Sequence, residues 1–142
     1  MVKILDTNFI YSLFNAFDSN HQAAKEILFG FDEADEIKIP FIVAAELAVN
    51  PDAGKLLQGV SALASKFSKN NESDLEFISS LPPKTKQKLR ANDCLILSLC
   101  QRYKAELVSF DKALVKLNRP WINWSDPIFP SPCSHKTIVC LI

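Results

Sequence analysis

Residues 2–17 run Val2-Lys3-Ile4-Leu5-Asp6-Thr7-Asn8-Phe9-Ile10-Tyr11-Ser12-Leu13-Phe14-Asn15-Ala16-Phe17. Val2–Leu5 reads as a short buried strand. The apolar-rich stretch Phe9 to Phe17 reads as a helix, with Asp6 or Thr7 as its cap. An acid therefore stands immediately behind a buried strand and ahead of a helix.

The same alternation continues along the chain. Glu36–Ile39 predicts a second strand, closed by Pro40, which also suits a helix start. Phe41–Val49 follows as a helix ended by Asn50-Pro51. Glu106–Phe110 predicts another strand, Lys112–Leu117 a short helix, and Trp121–Trp124 a last strand. Helices are expected over His21–Phe31, capped by Asn20, over Ala53–Phe67, over the basic Lys84–Arg90, and over Asp93–Tyr103, capped by Asn92. Ser68–Ser73 reads as polar loop. Leu75–Ile78 is open between strand and helix, and Pro82-Pro83 breaks the chain behind it. Strands alternating with helices predict an α/β fold, a central mostly parallel sheet of about four or five strands with helices on both faces. Residues 1–126 read as one domain, and 127–142, rich in Pro and Ser, as a C-terminal tail.

Composition narrows the classes. The chain has 142 residues, 48% of them hydrophobic, which suffices for one core. Three glycines and 8 prolines exclude a fibrous or low-complexity chain. Sixteen basic residues balance 16 acidic ones, so a uniformly positive nucleic-acid binder is excluded and a local basic patch is not. Cys94, Cys100, Cys133 and Cys140 form no CxxC pair, and His21 and His135 are the only histidines, so no structural zinc site is expected. Cys94 and Cys100 fall in an apolar helix, as buried thiols do. A Cys133–Cys140 disulfide stays open beside the favoured reading of a reduced chain. No signal-peptide pattern is visible, and no run approaches the roughly 20 apolar residues of a membrane span. A cytoplasmic protein without membrane contact is expected.

Four carboxylates stand where the pattern wants something else. Asp6 and Asp111 each follow a strand directly, and open parallel sheets bind ligands at the carboxyl ends of their strands. Glu46 interrupts the apolar helix Phe41–Val49. Asp93 heads a stripe of Ile96, Leu97 and Cys100 at helical spacing. Each alone has a structural reading: Asp6, Asp93 and Asp111 as helix caps or dipole partners, Glu46 paired with a lysine. Together, two at strand ends and two on apolar helix faces, they point to a site for a hard divalent cation, which prefers oxygen ligands and offsets the cost of burying acids.

These residues carry a resemblance. Leu5-Asp6-Thr7-Asn8, Ala45-Glu46-Leu47, Asn92-Asp93-Cys94-Leu95-Ile96 and Leu107-Val108-Ser109-Phe110-Asp111 resemble, in order, the four motifs of a PIN domain, in particular the stand-alone type of the virulence-associated protein C (VapC) toxins. The match covers roughly residues 2 to 124. It departs from the family between Leu75–Ile78 and Asp93, where the chain is short, and after Asp126.

The resemblance implies a PIN-like three-layer α/β fold and a metal-dependent endoribonuclease acting on single-stranded or loop RNA. Asp6, Glu46, Asp93 and Asp111 would hold Mg2+ or Mn2+, one ion or two, with Asn8 and Ser109 orienting the carboxylates. It also implies an antitoxin partner, if the chain is the toxin of a toxin–antitoxin pair, and a homodimer. An RNA-processing or quality-control nuclease without antitoxin, and an inactive PIN-fold binding module, are the alternatives. Lys84, Lys86, Lys88 and Arg90, just ahead of Asp93, are candidates for RNA phosphate contact, or else a solvated charged face. Tyr11, Phe14 and Phe17, at helical spacing, fit core packing better than base stacking. Two other enzyme classes with an acid behind the first strand fit less well. An aspartyl-phosphate phosphohydrolase needs a second acid where Asn8 stands, and a phospho-receiver needs an acceptor Asp and a late lysine that have no convincing counterpart.

Overall fold

The computed structural model describes residues 1–64 and 66–118. The predicted Trp121–Trp124 strand, the boundary at residue 126, the 127–142 tail and Cys133 and Cys140 lie outside the described residues. In chain order the elements are β1 (Val2–Leu5), α1 (Thr7–Phe14), α2 (His21–Phe29), β2 (Glu36–Pro40), α3 (Phe41–Ala48), α4 (Ala53–Leu63), β3 (Phe67–Ser68), α5 (Glu72–Ser80), α6 (Pro83–Lys86), α7 (Ala91–Tyr103), β4 (Glu106–Val108) and α8 (Lys112–Leu117).

The strands form one four-stranded sheet in the order β3-β2-β1-β4. All pairings are parallel, with Lys3 opposite both Ile37 and Glu106, and Ile39 opposite Phe67. β1 is central. Ile4 and Leu5 point to opposite faces and both are fully buried, so helices cover the sheet on both sides. The expected mostly parallel α/β sheet with helices on both faces is thus the fold observed. Phe9, Ile10, Val43, Leu47, Val60, Ile96, Leu99 and Leu114 fill the core around it. α4 lies close on α1: a Cβ added at Gly59 would come within 2.6 Å of the Phe14 ring.

Several elements differ from expectation, each for a local reason. The helix expected over Ala53–Phe67 stops at Leu63, because Ala64 turns to extended backbone and Phe67–Ser68 joins β2 as an edge strand. Phe67 then meets the ring of Phe41 edge-on, with centroids 6.5 Å apart. Periodicity alone could not separate these outcomes, since Phe67 finds apolar partners either way. Leu75–Ile78 is helical. Asn71 caps α5 by accepting the Ser73 N–H at 3.1 Å, and Asp74 reaches back to the Asn71 N–H at 2.7 Å, a capping box that overrides the local strand pattern. The expected helix Lys84–Arg90 is reduced to Pro83–Lys86. α1 ends at Phe14, leaving Phe17 almost fully exposed. Asn92 does not cap α7; the helix starts at Ala91, and Arg90 stands at the cap position.

Candidate functional site

The sheet order sets the location. The chain leaves β1 through α1 and α2 toward β2 on one side, while β4 returns on the other. The carboxyl ends of β1 and β4 therefore diverge into the crevice where open α/β sheets bind ligands. Asp6 lies at that point. Its backbone N–H extends the ladder to the Val108 carbonyl at 3.1 Å, and its side chain caps α1 by accepting the Thr7 N–H at 2.7 Å.

Asp6 is 8% exposed. Burial, the largest influence, raises its carboxyl pKa above the ordinary value. Hydrogen bonds from Ser109 and the Thr7 N–H act against burial, and the charges of Glu46 and Asp93 add to it. Charges from two different helices thus act on the Asp6 carboxyl at the end of the central strand. Glu46 projects from α3 and is half-buried; Thr7 Oγ1 donates to its Oε2, and Asn92 Nδ2 donates to its Oε1 at 2.6 Å. Asp93, in the first turn of α7, accepts the Arg90 N–H at 3.0 Å through Oδ2.

Ser109 ties the remaining residues together. Its hydroxyl, buried just past β4, donates to Asp6 Oδ2 at 2.7 Å and accepts from Asn8 Nδ2 at 3.1 Å. Asn8 Oδ1 in turn accepts the Phe110 N–H at 3.0 Å, so Asn8 acts on the acid through Ser109. Asp111 stands apart. Its N–H donates to Ser109 Oγ at 3.0 Å, but its carboxylate is exposed and caps α8 by accepting from the Ala113 and Leu114 N–H groups. Glu46 and Asp93 lie near enough for their charges to reach Asp6, and Asp111 contacts Ser109 through its backbone N–H.

Lys84, Lys86, Lys88 and Arg90 are all exposed, and Lys86 Nζ donates to the Ser79 carbonyl at 2.8 Å. Cys94 and Cys100 are buried, and burial raises both thiols, most strongly Cys100, which also feels the Asp6 charge. Neither is a nucleophile in this environment.

The site also contains two residues with roles not assigned from sequence, Thr7 and Asn92, both donors to Glu46. Thr7 reads there only as a cap option and Asn92 only as a cap. Short polar side chains in the first turn of a helix satisfy either role, so the pattern carries no signal that separates them.

Among the described residues, none of the four carboxylates enters an ion pair. Nor does any group of three acidic, histidine or cysteine side chains among them stand as a ready-made metal-ligand set. The donor chemistry nonetheless fits a hard divalent cation: the site offers carboxylate oxygens, each keeping lone pairs beyond the hydrogen bonds it accepts.

Parallel sheet, covering helices and an acidic crevice at the carboxyl edge define a three-layer α/β domain. The PIN domain family model matches residues 3–120, and the chain belongs to that family, whose members are generally nucleases that use divalent metals. The fold is similar to a chain of the crystal structure of VapBC2 from Rickettsia felis bound to a DNA fragment from their promoter. The TM-score is 0.56 and the identity 21%, over 78% of this chain and 88% of that one. No curated protein matches the chain. No helix among the described residues is long and apolar enough to cross a membrane.

Proposed function

We propose that this protein is a divalent-metal-dependent endoribonuclease whose working carboxylates are Asp6, Glu46 and Asp93, with Asp111 at the rim. The observation that carries the reading is Asp6: a buried carboxylate at the end of the central strand, repelled by two acids from separate helices and paired with no basic side chain among the described residues. A fold keeps such an arrangement at a cost in stability, which a bound cation removes. Mg2+ or Mn2+ held there would activate water and offset charge on the leaving oxygen of a phosphodiester. Thr7 and Asn92 hold Glu46, while Ser109, itself held by Asn8, orients Asp6. Lys84, Lys88 and Arg90 are free to approach phosphates as RNA enters.

The fold likeness to a chain of a VapBC complex favours the toxin of a toxin–antitoxin pair over a processing nuclease. An antitoxin segment placing Arg or Lys among the acids would neutralise them as a cation does. The test is cleavage of single-stranded RNA with Mn2+, with and without a chelator, by wild type, Asp6→Asn and Asp93→Asn, using melting curves as the folding control. Loss of cleavage in folded variants is the expected result. Full activity in either variant sinks the site.

A further inference from the structure

A second feature lies away from the acids. Lys38, Lys66, Ser68, Lys69 and Tyr103 line an open cleft of about 490 Å3 between β2, the edge strand β3 and the end of α7. Glu36 is the only acid in its lining, and it is already bound to Lys38 Nζ at 2.6 Å. The Lys38 ammonium also sits 4.7 Å from the centre of the Tyr103 ring, which fixes it inside the cleft. Lys66 and Lys69 are exposed and form no ion pair among the described residues. Ser68 is 9% exposed, and its hydroxyl has no hydrogen-bond partner among the described residues. Lysines often guard sheet edges against pairing with other chains, but a two-residue strand offers little to guard. An unpartnered hydroxyl in a cleft lined by three lysines, two of them without an ion pair among the described residues, is the chemistry of a phosphate contact.

We infer that this cleft binds the phosphate backbone of single-stranded RNA, as a second contact for the substrate of the acidic site. The inference rests on the ribonuclease reading for the identity of its ligand. Asp93 and Tyr103 stand on the same helix, about 15 Å apart along its axis, a distance that a few nucleotides cover. The two sites therefore suit one strand, cut at one end of α7 and held at the other. Spaced lysines with a single, already paired acid favour a polyanion over one phosphate ion.

The test measures fluorescence anisotropy of a labelled single-stranded RNA oligonucleotide in chelator, where no cleavage occurs. It compares wild type, Lys66→Gln/Lys69→Gln, Ser68→Ala and the control Lys55→Gln, with melting curves for each. The double variant should bind about tenfold more weakly near 0.1 M salt and show a shallower dependence of log affinity on log salt, by about 1.4, roughly 0.7 for each lysine lost on a single strand. Ser68→Ala, which removes no charge, should weaken binding with the slope unchanged. Equal affinity of wild type and double variant would overturn the inference, as would no binding by wild type. Displacement of the oligonucleotide by inorganic phosphate at equal concentration would overturn it too, in favour of a small-anion site. Mn2+-dependent cleavage of a short oligonucleotide judges the ribonuclease reading separately, because such a substrate fills the acidic site without reaching the cleft.

Discussion

Asn92, in the first turn of α7, donates its side-chain amide to Glu46 of α3 at 2.6 Å, joining two helices that are 46 residues apart at this point in the chain. With Thr7 donating to the other oxygen, both carboxylate oxygens of Glu46 are held. Asn92→Ala should leave the fold intact and weaken Mn2+ binding roughly tenfold or more, the usual effect of removing an outer hydrogen bond to a metal-binding carboxylate. Calorimetric titration of Mn2+ into both proteins checks this, and equal affinities would show that Asn92 only packs there.

Asp6 predicts a pH dependence of stability. Its pKa is raised above the ordinary 3.8 in the folded state, so the native protein holds that proton more tightly than the unfolded chain does. The resulting stability is fully present below the unfolded value and is lost as pH rises through the folded one. At neutral pH, without metal, Asp6→Asn should therefore melt higher than wild type. The gap should close as pH falls through the carboxylate range, and adding Mn2+ should raise only the wild-type melting temperature. A variant that melts lower at neutral pH would contradict the assignment of burial as the dominant influence.

The two glycines of α4 should respond in opposite ways. Gly54 has open space around its missing Cβ, so Gly54→Ala should gain helix propensity, up to about 1 kcal/mol. At Gly59 the same change drives a methyl to 2.6 Å from the Phe14 ring. Overpacking of this kind costs about 1–3 kcal/mol, enough to cancel or outweigh the propensity gain. Urea unfolding of both variants decides it; a stabilised Gly59→Ala would mean that α1 and α4 yield easily.

Lys104 closes α7 in the left-handed conformation, with φ 49° and ψ 44°. It is the only non-glycine residue with positive φ among the described residues. Lys104→Gly should stabilise the fold by about 1 kcal/mol, because glycine adopts this cap without the Cβ clash. An unchanged urea midpoint would show that the lysine side chain offsets the strain.

Much of this arrangement was legible in the residues themselves. Val2–Leu5 with Asp6 behind it, and the strand ahead of Ser109, could be read because a buried parallel strand leaves an apolar run and the acid after it has no place in that run. Ser109 and Asn8 could be named because their motif carries them. The helix over Glu72–Ser80 stays open in the sequence because Leu75, Phe77 and Ile78 fit a strand or a helix equally. The signal that decides it, Asn71 with Asp74 three residues on, begins inside a stretch that reads as polar loop. The second short strand of the edge, Phe67–Ser68, could not be separated from the helix before it, because Phe67 is apolar on either path. Asp111 shows another limit: its place behind a strand suggests a ligand, while its carboxylate serves two backbone N–H groups of α8. The partners of Glu46 depend on how α3 meets α7, a tertiary matter that spacing along the chain does not encode.

The bond between Asp6 and Ser109 spans 103 residues, and the ladder beneath it joins the first strand to the last described one. A chain growing from its N-terminus at about 5–20 residues per second completes β1, α1 and Glu46 long before β4 exists. During that interval Asp6 has neither its ladder partner nor the hydroxyl that orients it, and long-range parallel pairing is slow to close even once both strands are present. The crevice thus cannot close before β4 has been made, and if the proposed ribonuclease activity holds, a chain still being synthesised lacks the arrangement that cleavage needs.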